Sequence, residues 1–166
     1  MDEYKQRFEE LYARGFIVDS TASFKIKLFV QKAEESVVIA NNLSKPPAES
    51  TNQYWYAWAI TVAYYAMLYA AKAAILKKYY EVKTHEAAEI ALAHLLIPDE
   101  LKKEDLELLG QAHKLFEEEY LEYFKDARTE SSTARYQAKP SYTQRRMNEV
   151  LENARKFVAK ISLMLD

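Results

Sequence analysis

The sequence predicts an all-α protein: an up-and-down antiparallel bundle of about five helices around a buried central helix, preceded by a short N-terminal helix. Three observations carry this. First, Ser50 to Tyr80 reads STNQYWYAWAITVAYYAMLYAAKAAILKKYY, and from Thr51 to Ala71 it holds no charge, although five tyrosines and two tryptophans fall there. A helix that is apolar all round is enclosed by protein or by lipid. Second, the chain has only two glycines, Gly15 and Gly110, and a sheet protein with many tight turns needs more. Third, apolar residues elsewhere recur at steps of three and four, the spacing of one helical face.

The elements follow in order. A short helix is expected from about Glu3 to Phe16, ending at Gly15. A second runs from about Thr21 to Leu43, with Phe24, Leu28, Val30, Ala33, Val37 and Ala40 assigned to its apolar side. Lys45-Pro46-Pro47 ends it, because proline neither donates an amide nor continues the turn. The central helix opens with Ser50 and Gln53 at capping-box spacing. Thr84 is an N-cap for a fourth helix that reaches about Ile97. A fifth spans about Leu101 to Arg128, with Leu109, His113, Phe116, Tyr120, Phe124 and Ala127 on one face. The polar run ARTESSTARYQAKP breaks the pattern. Pro140 and Ser141 start the last helix, with Ser141 and Gln144 again at capping-box spacing. Its stripe is Met147, Val150, Leu151, Ala154, Phe157, Val158, Ile161 and Leu165. Residues 1–20 read as an extension and 21–166 as the bundle domain.

The central helix is long enough to span a bilayer. Its tyrosines, however, are spread along it instead of gathering in belts at two ends, alanine dominates it, and Lys72 follows at once. With 29% charged residues and a mean hydropathy of -0.39, the chain reads as a soluble protein with that helix in its core, not as a membrane protein. Five tyrosine hydroxyls cannot all be buried unpaired, at about 1–3 kcal/mol each. Some must reach water, a polar neighbour or a second subunit. A tyrosine-rich face suits a homodimer; core packing is the alternative.

The 166 residues contain no cysteine, which removes disulfides, thiolate metal sites and cysteine nucleophiles and suits a reducing compartment. The charged, amphipathic N-terminus has no cleavable-signal character, so the expected location is cytoplasmic. Glycine-rich phosphate loops are excluded. A net charge of -2 predicts no strong nonspecific attraction to nucleic acid. Locally the balance differs. Pro98 to Asp126 has ten acids and four bases, whereas Arg128 to Arg146 has five bases and one acid. Arg128, Arg135, Lys139, Arg145 and Arg146 alternate with Tyr136 and Tyr142. Bases hold phosphates and tyrosine rings stack on nucleobases, making this segment the best anion or nucleotide candidate. The alternative is a solvated loop that pairs with the acidic helix before it.

Three histidines are the candidates for acid-base work. His94 and His113 lie on apolar helix faces, where a satisfied core role competes with catalysis. His85 follows Thr84 in the first turn of its helix, where the dipole disfavours its charged form. It either helps bind an anion or caps the turn. No histidine pair has metal-ligand spacing, and no histidine has a glutamate three residues before it, as a di-iron bundle requires. No metal or cofactor is expected, and no nucleophile elbow is present.

The run VAYYAMLYAAKAAI (Val62 to Ile75), then Lys83-Thr84-His85, Arg128, Arg135-Tyr136 and the terminal NARKFVAKI (Asn153 to Ile161) together resemble a HEPN domain over about Thr21 to Asp166. The resemblance implies a five-helix bundle, commonly a homodimer, often encoded beside a minimal nucleotidyltransferase in toxin-antitoxin or related pairs. Many active members are metal-independent ribonucleases whose motif is an arginine followed four to six residues later by a histidine. Here no arginine has a histidine in that window. What carries over is the turn Lys83-Thr84-His85 with Arg128 and Arg135-Tyr136 as a nucleotide or RNA surface, to which the basic segment adds Lys139 and Arg145. The expected function is therefore a noncatalytic HEPN-like protein that binds a nucleotide, RNA or a nucleotidyltransferase partner, with no catalytic residue assigned. The alternatives are a ribonuclease with a displaced set, such as His85 with Arg128 or Arg135, and a purely structural dimerisation module.

Overall fold

The computed structural model describes residues 2–49, 52–128 and 140–166, with side chains over 3–49, 55–118 and 144–166. The described elements are α1 (Asp2–Ala13), β1 (Ile17–Asp19), α2 (Phe24–Leu43), α3 (Asn52–Lys77), β2 (Tyr80–Val82), α4 (His85–Leu96), α5 (Lys103–Arg128) and α6 (Pro140–Leu165). The protein is an all-helical bundle with one very small sheet.

Helix α3 is the centre. It packs chiefly against α2 and α6 and also meets α4, α5 and β2. Ala59, Ala63, Ala66, Ala70, Ala71 and Ala74 are buried along it, with Ile60, Met67 and Ile75 between them. Alanine on several faces lets flanking helices approach closely, at the short end of the usual 8–10 Å interaxial range. The stretch Trp55–Lys77 is long and apolar enough to cross a membrane, and 72% of its most apolar 18 residues are buried inside the protein. Most of its apolar surface is covered by its own neighbouring helices, while Trp58 stays 61% exposed.

Helix α6 buries the expected stripe: Met147, Val150, Leu151, Ala154, Phe157, Val158 and Ile161. Its backbone is helical from Pro140, so Ser141 lies within the first turn and not at the cap. The fixed φ of proline suits the first helical position. The Ser50 cap falls outside the described residues, as do the side chains of Tyr120, Phe124 and Ala127.

The assigned face of α2 needs correction. Ala33 and Ala40 are buried, but Phe24 and Leu28 are 70% and 57% exposed. Phe24 precedes Ala33 by nine residues, about two and a half turns, so it points to the opposite side. The helix also begins later than expected, at Phe24, and Ser23 before it makes no side-chain capping bond.

The ribbon of β1 and β2 was not expected from the sequence. Its antiparallel register pairs Ile17 with Val82, Val18 with Glu81 and Asp19 with Tyr80. Three-residue strands are too short to show a period of two. Backbone reversals on each side set them up. Gly15 has φ 73° and closes α1, with its amide donating to the Tyr12 carbonyl at 2.9 Å and the Phe16 amide to Leu11 at 2.9 Å. That is the paired bonding of a Schellman motif. Tyr79, with φ 68°, is also left-handed at the end of α3; its amide donates to the Leu76 carbonyl at 2.9 Å, and its carbonyl accepts the Ser20 amide at 2.8 Å. Through this ribbon Phe8, Leu11 and Ile17 join the same core as α3 and α6.

Candidate functional site

The ribbon delivers the turn Lys83-Thr84-His85. The Lys83 amide donates to the Phe16 carbonyl at 2.9 Å, fixing where β2 ends. Thr84 is extended (φ -129°, ψ 161°), and its hydroxyl accepts the Ala87 amide at 3.1 Å. This is the expected N-cap, which satisfies one of the amides orphaned at a helix start. His85 is therefore the first residue of α4, aimed back at the core helix while Lys83 is exposed.

A stack of rings from three helices surrounds His85. The Tyr64 ring of α3 lies 5.4 Å from His85, 5.4 Å from His113 and 4.9 Å from Phe116, all nearly parallel. His85 and His113 face each other at 5.1 Å with planes 10° apart. Tyr65 meets His85 edge-on at 6.3 Å. The polar atoms are engaged too. The Tyr64 hydroxyl bonds to Nδ1 of His85. Nδ1 of His113 lies 2.8 Å from Glu89 of α4, and its Nε2 lies 3.2 Å from Glu117, one turn on along α5.

Burial governs the electrostatics. Tyr64 is only 1% exposed, and its phenol is pushed far up by burial, with Glu89, Tyr65 and Glu117 adding to the effect. It is a neutral hydrogen-bond donor. The His85 imidazole is shifted down, first by burial and then by His113 and Lys72, while Glu117 opposes. A neutral His85 leaves Nδ1 free to accept the phenol hydrogen. The cluster thus holds a neutral imidazole beside a second imidazole flanked by two carboxylates.

The structure gathers Lys83, Thr84 and His85 into one turn. Arg145 sits elsewhere, on α6, with an 80% exposed side chain 3.4 Å from Glu149. It borders an open groove against α5 with Gln111, Lys114, Glu118 and Arg146. Arg128 is the last residue of α5; its side chain, with Arg135, Tyr136 and Lys139, lies outside the described residues. His94 packs its ring 4.7 Å from Phe8. Sequence reading left Tyr64, Glu89, His113 and Glu117 out of the site. One signal pointed to them: the spacing His-x-x-x-Glu occurs twice, at His85/Glu89 and at His113/Glu117. Each pair shares a helix face, and the two faces meet with Glu89 crossing over to His113.

The HEPN domain profile matches residues 26–164 of the chain. The chain belongs to the HEPN domain family. A comparison with curated proteins finds no match. The family match starts inside α2 and ends near the close of α6, so the site above lies wholly within the HEPN domain. α1 and β1 precede it and supply part of its core. The HEPN assignment points to a nucleotide- or RNA-related role.

Proposed function

We propose that this HEPN protein binds a nucleotide or RNA without cleaving it, acting as a homodimer and alongside a nucleotidyltransferase partner, in the manner of a toxin-antitoxin-type pair in the cytoplasm. The observation that carries the noncatalytic part is the missing arginine–histidine pairing of the cutting members. His85 is bonded to Tyr64, and His113 has a carboxylate at each ring nitrogen. No arginine in the sequence has a histidine four to six residues after it, so the pairing that cutting members use is missing. The binding surface is assigned to Lys83, Thr84 and His85 together with Arg128, Arg135, Tyr136, Lys139 and Arg145. Bases there would take phosphates, and Tyr136 would stack on a base.

A titration with mononucleotides and short RNAs, followed by tyrosine and tryptophan fluorescence, tests this. Saturable binding that is abolished by Arg128→Ala with Arg135→Ala is the expected result. Binding to none of them overturns the ligand assignment and leaves the nucleotidyltransferase as the partner to test by co-purification. A second reading, a ribonuclease with a displaced set, draws on the neutral His85 ring 5.1 Å from His113, since a neutral imidazole can accept a proton. Incubation with end-labelled RNA separates the two. Cleavage that His85→Ala removes supports the second reading, and intact RNA refutes it.

A further inference from the structure

We propose that the cleft between α2, α3 and β2 binds a phosphate-class oxyanion, with Lys72 at its floor and Lys32 at its rim. The inference takes its ligand from the nucleotide- or RNA-binding reading, but its anion chemistry stands separately. The cleft has a volume of about 150 Å³ and is lined by Lys25, Phe29, Lys72, Glu81 and Val82. Two matching faces build it. Lys25, Phe29 and Lys32 follow one another on α2 at spacings of four and three, and Tyr65, Tyr69 and Lys72 do the same on α3. Such spacings put each trio on one helix face. Phe29 and Tyr69 stack across the interface at 6.4 Å, and the Lys32 ammonium sits 4.7 Å from the centre of the Tyr69 ring.

The charges do not balance. Two ammonium groups, Lys25 and Lys72, line the cleft and Lys32 stands near enough to act on Lys72, against one carboxylate, Glu81, which is bonded to Lys25 at 2.8 Å. Among the described residues neither Lys32 nor Lys72 has an ion-pair partner. Lys72 is half-buried, and its ammonium is made more acidic by burial first and by Lys32 next, with Glu81 opposing. Two neighbouring cations, one of them partly desolvated, are unfavourable when the cleft is empty. An oxyanion between them reverses the sign of each effect, through charge-assisted hydrogen bonds of the kind lysines make to phosphate. The cleft also adjoins the ring stack. Tyr65 lies 6.3 Å from both Tyr69 and His85. Lys72 also acts electrostatically on the His85 imidazole, so an anion held at Lys72 would be felt at His85.

Isothermal titration with inorganic phosphate, at fixed ionic strength, tests the site on the full chain. Lys72→Met keeps the aliphatic stem, Lys72→Arg keeps the charge, and circular dichroism verifies that both fold. Wild type should bind saturably, Lys72→Met should weaken binding about tenfold or more, Lys32→Gln should weaken it less, and Lys72→Arg should retain it. Absence of saturable phosphate binding, or equal affinity in Lys72→Met, overturns the proposal. Parallel arms with adenosine monophosphate and a short single-stranded RNA separate the sources of the phosphate. Phosphate binding that depends on Lys72 while neither nucleotide nor RNA binds upholds the cleft and sinks the broader functional reading. RNA binding equal in wild type and Lys72→Met, with no effect of Lys72 on phosphate, sinks the cleft alone.

Discussion

Removing the hydroxyl of Tyr64 separates its two roles. Tyr64→Phe keeps the ring, and with it the parallel contacts at 4.9–5.4 Å to Phe116, His85 and His113. It deletes only the bond to His85 Nδ1. Such a bond contributes about 0.5–1.5 kcal/mol net. The larger penalty for an unsatisfied buried partner does not apply, because His85 is only half-buried and water can reach it. The expected loss is about 1 kcal/mol, or about 2–4 °C in melting temperature for a chain of this size. Tyr64→Ala also empties a fully buried ring site and loses the stack, and large aromatic-to-alanine changes cost about 3–5 kcal/mol. Urea unfolding of the three proteins, followed by circular dichroism, gives both differences if the m-values agree. A Tyr64→Phe loss as large as that of Tyr64→Ala would refute the division between ring and hydroxyl. No loss at all would show that the bond to His85 contributes nothing.

Three further outcomes are expected. Thr84→Ala should cost about 1 kcal/mol through loss of the cap to the Ala87 amide, and Thr84→Ser should recover most of it; thermal melts decide. The folded His85 ring titrates below its ordinary 6.5, so the unfolded chain takes up the proton first as pH falls. The contribution is fully present above 6.5 and is lost as pH drops towards the folded value. Urea midpoints at about pH 8 and about pH 5 should therefore converge in His85→Gln relative to wild type, and an unchanged difference would contradict the burial of His85. Tyr79 is left-handed and 69% exposed. Tyr79→Gly removes about 1–2 kcal/mol of backbone strain against about 0.5–1 kcal/mol of chain entropy, so chemical denaturation should find the variant as stable as wild type or up to about 1.5 kcal/mol more stable.

The bundle was legible because its strongest features are long and local. The uncharged α3 and the seven-member buried stripe of α6 each repeat one signal over many turns, and periodicity over such lengths is hard to mistake. Gly15 and Thr84 were legible for another reason: each does a job that few residue types do. What failed was short or depended on phase. The β1/β2 ribbon spans three residues per strand, and Tyr79 gives no hint of a left-handed turn, since tyrosine avoids it. On α2 the list from Phe24 to Ala40 mixed two faces, because apolar residues stand on both sides of that helix. The helix starts with Phe24 and Leu28 outward and turns its small residues inward, a choice made by the close approach of α3.

The site was half-legible, and the missing half has a physical cause. Lys83-Thr84-His85 is contiguous, so its turn could be read directly. Tyr64, Glu89 and His113 come from three different helices and meet only because α4 and α5 both lie against α3. His113 reads as a core residue on its own helix; Tyr64 is buried to 1%, whereas His113 and Glu89 stay 20% and 30% exposed. Core packing and polar bonding are compatible here. A buried phenol needs a partner, a buried carboxylate or imidazole needs another, and three such needs placed at one helix junction satisfy one another. Of the four ring nitrogens of His85 and His113, only Nε2 of His85 has no hydrogen-bond or ion-pair partner among the described residues. In the reading proposed above, the lysine-lined cleft beside the stack would supply charge for a bound anion while these bonds stay in place.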